Sequence, residues 1–600
     1  MLTDRSANRV ERRQSRPCRT LLATALFFLF VSVQAQEPET QAPAVKTGAI
    51  TGRVVNENGQ PLTGATINIR QAGAISLNRA AISNLEGNFQ FNGLDNGIFY
   101  LIASSPSYVG PPMDIEATVP TYRVGDSVRL ELTRGGVVTG TVSNATGEPM
   151  TGVRVRAFMI KDPNGKRTKG AVISLGERET DDRGIYRIFG LSPGTYLVQA
   201  GGGGPQYSVN ATSLDAPTFA PSSTRDTASE IQVRSGEETT ADIRYRNEPG
   251  HSISGSIRLH GQTGGNVSVT QVGDGVMPTA SAYQIPGVSG FAVYGLADGE
   301  YSLTAQEFPT MSPAGSLYPD IALSDPVRVT IKGADVTGIE LVPKPLGSIA
   351  GRVVLENAKL PECQNKRQPI LSETIVSVVQ NRTEPETDQL ALMRWFVGAA
   401  TPDKDGVFAL KNLKQGQYSF SPRFYARYWY VKSMSISAGS TQSGATQSGP
   451  AKAASSLAKD ASRNWTLLKS GDRVTGLTIT LSEGAASIRG QLAKSEDSKV
   501  ESGLRIYLVP SEKDKLDDPL RYFTTEVGGD GTFTLTNLPP GKYRTLAQQP
   551  TADSPASTDK LRLPDALEAR AKLRQAAETA KTEVELKPCQ NVTGLSLRPN

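Results

Sequence analysis

Two adjacent aspartates and an arginine make the segment TDDRGIYRIFGLSPGTYLVQA, residues 180–200, a candidate for acid–base chemistry. Carboxylates can take up and deliver protons when a loop positions them. The pair Asp181–Asp182 becomes Leu85–Glu86 in a second segment of the same pattern, so the acids do not recur. We therefore predict that backbone geometry, and not catalysis, accounts for this segment. Its pattern returns in four further segments: 86–103, 289–305, 405–420 and 530–547.

The five copies share an order of residue types that describes a hairpin. An aromatic residue is followed two positions later by an apolar one, which is the period of a β-strand. A leucine and a glycine come next, and a second aromatic residue starts a new alternation. The glycine follows Asn, Pro, Asp or Gln, a pattern typical of a type II turn, whose third residue has positive φ. These glycines are Gly97, Gly194, Gly299, Gly416 and Gly541.

The chain has few candidate metal ligands, because its only histidines are His251 and His260. A catalytic zinc site takes three protein ligands, and neither histidine begins the spacing of a zinc peptidase. The DKDG string at 403–406 is similar to the start of a calcium loop, but the twelfth position is Lys414 instead of glutamate. We predict no metal site and no other cofactor.

Nucleophilic catalysis also lacks its usual patterns. The sequence has no G-x-S-x-G string, and its S-x-x-K pair, Ser456 and Lys459, lies in a low-complexity stretch. A carboxylate-pair hydrolase stays open as an alternative, because acidic residues are plentiful. We predict that the chain is not an enzyme.

Two further motifs recur around each hairpin and define five units. A strand with a central glycine opens each unit, as in ITGRV at 50–54, and a strand such as VRLEL at 128–132 closes it. Strand-rich segments with frequent Gly and Pro turns and almost no helical period predict an all-β fold of five tandem β-sandwiches. The predicted units are unit 1 (48–134), unit 2 (135–248), unit 3 (249–345), unit 4 (346–484) and unit 5 (485–600).

Two segments depart from this plan. Residues 439–464 are small, polar and of low complexity, so we predict a flexible insertion in unit 4. Residues 564–581 predict one short helix in unit 5, with Leu573, Ala576, Ala577 and Ala580 forming an apolar stripe against the last sandwich.

The aromatic run RFYARYWYV, residues 423–431, is the best candidate for a binding surface. Tyr425 and Trp429 could stack on the apolar faces of sugars or on peptides. Read as one strand, the run places Tyr425 and Trp429 on one face and Tyr428 and Tyr430 on the other. Rings on both faces equally predict a strand that is covered on both sides, which is the structural alternative.

Cys363 and Cys589 are the two cysteines that remain if residues 1–35, which contain Cys18, are removed. Cys363 follows the opening strand of unit 4, and Cys589 precedes the closing strand of unit 5. In seven-strand sandwiches joined end to end these positions face one junction, so we predict a disulfide between them. Two free, buried thiols are the alternative.

The N-terminal residues have the pattern of a secretory signal peptide. Residues 1–19 hold six arginines, residues 20–33 are an apolar run too short for a membrane span, and small residues precede Gln36. We predict a signal peptide at 1–35 and a disordered leader at 36–47. Removing 1–35, with six arginines against Asp4 and Glu11, takes four charges from the net +5 and leaves about +1.

A nearly neutral chain does not favour nucleic acid, which would need a basic stripe. No later apolar run is long enough to cross a bilayer, so we predict no transmembrane segment after signal cleavage. The predicted location is an exported one: periplasmic, cell-surface or extracellular.

The strings GAITGRVVNENGQPLTGATI and DDRGIYRIFGLSPGTYLV, in units 1 and 2, resemble the carboxypeptidase regulatory-like domain, a transthyretin-like β-sandwich. Similar patterns occur in collagen-adhesin B-type repeats and in the carbohydrate-binding-like fold. The resemblance implies five seven-strand Ig-like or transthyretin-like sandwiches in an extracytoplasmic setting, and it implies no reaction. The Lys–Asn isopeptide link of some adhesin repeats is not implied, because first strands such as ITGRVV lack the lysine.

These features predict a non-enzymatic, exported, multi-domain scaffold or binding protein of the cell envelope or extracellular space. The first alternative is a carbohydrate-binding protein, and the second is an accessory to an envelope peptidase or hydrolase. A polysaccharide or an envelope protein is the expected class of partner.

Overall fold

The computed structural model shows an all-β protein, with ten sheets in the part of the chain that it describes. The predicted signal peptide, the leader and most of the predicted insertion lie outside the described residues. Those residues are 48–72, 78–111, 120–167, 176–203, 211–260, 263–273, 279–309, 320–382, 398–437, 441–442, 458–493, 503–549, 557–580 and 582–598.

The first sheet of every unit joins three strands in one order. The opening strand lies in the middle, antiparallel to the aromatic strand and parallel to the closing strand. The opening strands are Gly48–Asn56, Gly136–Ser143, His251–Ile257, Gly347–Glu356 and Ala486–Leu492. The aromatic strands are Asn88–Leu94, Ile185–Leu191, Gly290–Leu296, Val407–Leu413 and Thr532–Leu538. The closing strands are Ser127–Arg134, Glu238–Thr240 with Ile243–Arg244, Val336–Leu341, Arg473–Glu483 and Asn591–Leu597.

The second sheet of every unit joins an inner strand to the strand that follows the turn glycine, with a shorter strand at each edge. The inner strands are Thr66–Gln71, Arg154–Lys161, Thr263–Gln271, Thr374–Gln380 and Arg505–Pro510. The post-turn strands are Ile98–Ser104, Gly194–Ala200, Gly299–Pro309, Gly416–Phe424 and Gly541–Gln548. The edge strands are Asn78–Ile82, Tyr122–Arg123, Glu177–Glu179, Thr218–Phe219, Ile231–Val233, Ala280–Gln284, Ala322–Leu323, Val327–Ile331, Ala399–Ala400, Thr466–Leu468, Phe523–Glu526 and Glu583–Leu586.

The remaining described elements are one long helix, one eight-residue strand and several short pieces. That helix, Leu567–Ala580, covers the outer face of the second sheet of unit 5, where Leu573 and Ala577 are buried. It begins later than expected, because residues 564–566 form a turn. The other helices are Ala211–Leu214 and Thr558–Leu561, with 3-10 turns at Arg225–Thr227, Pro361–Cys363, Leu371–Glu373, Lys513–Lys515 and Pro519–Arg521. The other strands are Tyr108–Val109, Lys344–Pro345, Trp429–Ile436, Thr441–Gln442 and Lys459–Asp460.

The glycine at the centre of each opening strand allows a close approach. A Cβ on Gly52 would lie 2.3 Å from the carbonyl oxygen of Val128 and 2.5 Å from the ring of Phe89. On Gly490 it would lie 2.5 Å from the carbonyl oxygen of Leu595 and 2.3 Å from the ring of Phe533. The aromatic ring of the next strand therefore packs on bare backbone, which only glycine provides.

A left-handed residue, which was not predicted from the sequence, precedes the recurring leucine of each hairpin. Its φ lies between 57° and 73° in all five copies, and the register of the sheet shifts around it in a bulge. Only Gly and Asn, which tolerate this conformation, occupy it. The residues are Gly93, Gly190, Gly295, Asn412 and Asn537.

The turn glycine does not form the type II turn expected from its neighbours. Gly194, Gly299 and Gly416 have φ of 157°, whereas the third residue of a type II turn lies near 80°. Each of these glycines already begins the post-turn strand. A Cβ on Gly194 would lie 2.7 Å from the carbonyl oxygen of Lys161, so the strand starts too close to its neighbour for a side chain.

Asp181 has a turn-forming role that does recur, which corrects the alignment made from the sequence. Its Oδ1 accepts hydrogen bonds from the amides of Arg183 and Ile185, at 3.0 and 2.8 Å. Asn84 and Asp403 hold the equivalent loops of units 1 and 4 in the same way. The recurring feature is a side-chain oxygen acceptor, supplied by Asn or Asp.

The tyrosine after the turn fastens the corner in four units. Its hydroxyl donates to the carbonyl oxygen four residues earlier, at 2.7–2.8 Å, while the ring is buried. Phe99 of unit 1 buries the ring alone. The ring is therefore the shared core contact, and the hydroxyl bond is additional. The four tyrosines are Tyr196, Tyr301, Tyr418 and Tyr543.

Candidate functional site

The aromatic run at residues 423–431 lies at the joint between units 4 and 5. It is not one strand: the post-turn strand ends at Phe424, residues 425–428 form a connection, and a new strand begins at Trp429. The Tyr428 carbonyl oxygen accepts from the amides of Gly484 and Ala485, at 2.8 and 2.9 Å, where unit 5 begins. The run therefore builds a joint between units.

Trp429 belongs to the core of unit 4 and has no exposed surface. Its strand pairs with the closing strand Arg473–Glu483, and its ring packs in the cluster that holds Leu481. A ring without exposed surface cannot stack on a sugar. The interpretation of Trp429 as a ligand-binding residue is therefore wrong, and the covered strand is the alternative that fits.

Asn537 fastens unit 5 to unit 4 from the left-handed position of its hairpin. Its Nδ2 donates to the carbonyl oxygens of Ala426 and Trp429, both at 2.8 Å. Leu520 of unit 5 also packs into the core cluster of unit 4. The two units therefore share a hydrogen-bonded and partly apolar contact.

The same left-handed position faces the preceding unit at two other joints. Asn412 of unit 4 accepts a 3.1 Å hydrogen bond from the amide of Ile321 in unit 3. Gly295 of unit 3 lies so close to unit 2 that a Cβ would meet the carbonyl oxygen of Ser213 at 2.1 Å. An Asn at this position forms side-chain hydrogen bonds to the preceding unit, which we call a clasp. A Gly allows the two backbones to approach closely.

Tyr425, the second aromatic candidate, joins unit 4 to unit 1. Its hydroxyl lies 2.8 Å from Oγ1 of Thr121 and donates to the Thr121 carbonyl oxygen at 3.0 Å. The guanidinium of Arg123 lies 5.1 Å from the Tyr425 ring centre and 4.0 Å from the carboxylate of Glu373. Burial, and then the neighbouring Tyr425 hydroxyl, raises the pKa of Tyr122.

Glu373 is the buried charge at this contact, with 3 % of its surface exposed. Arg367 of the same unit donates to both of its carboxylate oxygens, at 2.8 and 2.7 Å. A buried carboxylate needs such partners, because desolvation otherwise disfavours its charge. Arg123 of unit 1 thus meets a carboxylate that is already paired within unit 4.

Cys363 and Cys589 form a disulfide in the structure, with their Cα atoms 5.5 Å apart. Cys363 ends the 3-10 turn Pro361–Cys363 of unit 4, and Cys589 lies two residues before the closing strand of unit 5. Both are buried, and the Cys589 amide donates to the Gly484 carbonyl oxygen at 3.1 Å. The bridge therefore lies at the joint that Tyr428 and Asn537 also hold.

The two histidines pair with carboxylates of unit 3. Nδ1 of His260 lies 2.8 Å from the carboxylate of Glu307, and His251 lies 3.4 Å from Asp298. Burial would raise the pKa of Glu307, but hydrogen bonds from His260 and Thr263 outweigh it and lower that pKa. Among the described residues, no three His, Cys, Asp or Glu side chains are grouped to hold a metal ion.

None of the helices in the described part of the chain has the length and hydrophobicity needed to span a lipid bilayer.

Comparison with solved structures finds two pilins and a third protein, all at low identity. The minor pilin GBS52 of Streptococcus agalactiae is 14% identical, over 33% of this chain and 94% of its own, with a TM-score of 0.18. The major pilin subunit BcpA of Bacillus cereus is 11% identical, over 50% of this chain and 99% of its own, with a TM-score of 0.14. The TIE protein of Bacillus anthracis is 10% identical, over 90% of this chain and 76% of its own, with a TM-score of 0.15.

No curated protein matches the chain significantly. The family model of the carboxypeptidase regulatory-like domain matches residues 49–124, within unit 1. The resemblance read from GAITGRVVNENGQPLTGATI is thereby confirmed, and the strand pairing of unit 1 returns in the four units that follow. The chain is thus an all-β protein of repeated β-sandwich units, and its residues 49–124 match the model of the carboxypeptidase regulatory-like domain.

Proposed function

We propose that this protein is a non-enzymatic, exported scaffold of the cell envelope or extracellular space. The disulfide between Cys363 and Cys589, buried at the joint of units 4 and 5, is the observation that carries the proposal. Disulfides persist in oxidising compartments and are rare in the cytosol, so this bridge suits an exported chain. The signal-peptide pattern at 1–35 points to the same route.

The use of polar side chains supports a scaffold rather than an enzyme. Asp181, from the segment considered for acid–base chemistry, and Asp403, from the string similar to a calcium loop, accept hydrogen bonds from backbone amides. Asn537 and Tyr425, which could have faced a ligand, hold neighbouring units instead. A catalytic group needs an open cleft and a reacting partner, and these side chains are engaged in turns and joints.

The partner in this proposal is a polysaccharide or an envelope protein, held at a distance set by five linked sandwiches. Export to the periplasm, to the cell surface or to the medium would each satisfy the proposal. The joints matter for this role, because contacts between units fix the spacing and orientation of whatever each unit presents.

Fractionation combined with thiol counting tests the proposal. The full-length chain, with Cys18→Ser to remove the cysteine of the predicted signal peptide, is expressed in a Gram-negative host and recovered from each compartment. We expect processed protein outside the cytoplasm, in which neither Cys363 nor Cys589 reacts with a thiol reagent after denaturation without reductant. The Cys363→Ser/Cys589→Ser double variant is the matched control for background labelling.

Unprocessed protein retained in the cytoplasm, with two reactive thiols, would contradict the proposed export. Turnover of a peptide or glycoside substrate by the purified protein would contradict the non-enzymatic part of the proposal.

A further inference from the structure

The bridge between Cys363 and Cys589 closes a large loop, because the two residues are 226 positions apart. Cys363 comes after the opening strand of unit 4, Gly347–Glu356, and Cys589 comes before the closing strand of unit 5, Asn591–Leu597. All other described strands of these two units lie inside the loop.

We propose that this bridge is a tension bypass, which carries a pulling force past the strands of units 4 and 5 that lie inside the loop. The proposal rests on the scaffold function, since a scaffold that links two structures is pulled at its ends. The covalent path then runs along Gly347–Glu356, through the Cys363–Cys589 bond and out along Asn591–Leu597. The loop is a side branch of this path and bears no tension.

Only two strands of the last two units lie on the loaded path. Gly347–Glu356 is held between the aromatic strand and the closing strand of unit 4, so it is restrained along both sides. Asn591–Leu597 pairs, among the described strands, with Ala486–Leu492. If either strand slides, the chain lengthens by the residues outside the loop and the bridge stops further extension.

The contacts around the bridge stay unloaded for the same reason. Asn537, which donates to Ala426 and Trp429, and the Tyr428 carbonyl both lie within the closed loop. The sulfur atoms are shielded while this joint holds, since Cys363 and Cys589 are only 2 % and 8 % exposed. A reductant can therefore reach the disulfide only after the joint of units 4 and 5 opens. Tension along the covalent path does not open this joint.

Single-molecule stretching of the whole mature chain tests the bypass. Handles are attached at the two chain ends, and the oxidised protein is compared with the same protein after reduction. The loop of 226 residues, at about 3.3–3.6 Å per residue, hides about 80 nm of contour length. We expect the oxidised chain to fall short of the reduced chain by that length and to lack the unfolding steps of units 4 and 5.

The Cys363→Ser/Cys589→Ser variant provides a second route to the open loop, and its length should equal that of the reduced wild type. The reduced wild type keeps the test valid if that variant folds poorly. Equal contour lengths for oxidised and reduced wild type would overturn the bypass. Export and thiol protection are measured separately, so the scaffold proposal can stand while the bypass fails, and a cytoplasmic protein with free thiols would overturn both.

Discussion

Asp181 and Arg183 are residue types that often act in catalysis, but here their side chains hold the backbone of a loop. Oδ1 of Asp181 accepts two loop amides, and Oδ2 accepts from the Arg183 guanidinium at 2.8 Å. The ring of Trp429 is likewise fully buried in the core of unit 4. Side-chain chemistry that could act on a ligand is directed inward, to turns and cores.

Asp181→Asn should make the free energy of unfolding of unit 2 less dependent on pH in the acidic range. Hydrogen bonds from the Arg183 side chain first, and then from the Ile185 amide, lower the pKa of Asp181 below its ordinary value. A group whose pKa is lowered by folding stabilises the fold above its unfolded pKa, near 4, and this is lost as the pH falls through the folded pKa. Between about pH 5 and 2, the free energy of unfolding measured with denaturant should therefore fall more steeply for the wild type than for the variant. Asn keeps the Oδ1 acceptor, as Asn84 does in unit 1, so parallel pH profiles would contradict the assignment.

Trp429→Ala should destabilise unit 4 by about 3–5 kcal/mol, the usual cost of truncating a buried tryptophan to alanine. The ring has no exposed surface, and Nε1 has no hydrogen-bond partner among the described residues. Trp429→Phe is the matched control and should cost much less, because it keeps most of the ring. Urea unfolding of the full chain measures both variants. An unchanged unfolding curve for Trp429→Ala would show that the ring is not part of the core.

The hairpin is the element in which local rules decide most. A left-handed Gly or Asn makes the bulge, a turn glycine starts the next strand, and an aromatic ring closes the corner. Because these positions follow one another in sequence, the hairpins and the all-β fold could be predicted from the repeat alone. The left-handed position could also have been found, since the strings NGL, FGL, YGL, KNL and TNL place only Gly or Asn before the leucine.

Gly194→Val should cost unit 2 on the order of 1–3 kcal/mol, as residues forced into rare backbone conformations do. The φ of 157° disfavours a β-branched residue, and the new Cβ would lie 2.7 Å from the Lys161 carbonyl oxygen. Gly190→Asn is the control: its φ is 73°, no described atom lies within 4 Å of its Cβ position, and Asn occupies the same place in units 4 and 5. Thermal unfolding should show a clear loss for the first variant and little change for the second. Equal losses would contradict the distinction between the two glycines.

Asn537→Gly should loosen the joint of units 4 and 5 while leaving the hairpin intact. Glycine keeps the φ of 59° but removes the two hydrogen bonds to the Ala426 and Trp429 carbonyl oxygens, worth about 1–3 kcal/mol together. Hydrogen exchange of residues 426–430 should become faster. Asn412→Gly is the matched control, because it removes a clasp between units 3 and 4 instead. If both variants accelerate exchange at 426–430 equally, the Asn537 clasp is not what holds this segment.

Across the whole molecule, the joints are what the sequence could not predict. The contact of Tyr425 with Thr121 joins residues 304 positions apart, and no local pattern reports such a pairing. The burial of Trp429 was also open, since rings on both faces of a strand suit a ligand site and a covered strand equally. The cysteine pair was predictable because two independent strand positions, one in each unit, pointed to the same junction.

These contacts change what unfolding of the chain should look like. Each of the five units keeps a core cluster of its own, but Leu520 of unit 5 lies in the core cluster of unit 4. The disulfide and the Asn537 clasp join the same two units. Units 4 and 5 are therefore cross-linked and should unfold together.

Calorimetry of the purified, disulfide-bonded protein, with and without reductant, shows whether units 4 and 5 unfold as one body. We expect units 4 and 5 to unfold in one transition in the oxidised chain. After reduction that transition should move to lower temperature and broaden or divide, because the cross-link no longer restricts the unfolded state. The transitions of units 2 and 3, which hold no cysteine, should stay in place. Five separate transitions that reductant leaves unchanged would show that units 4 and 5 unfold independently.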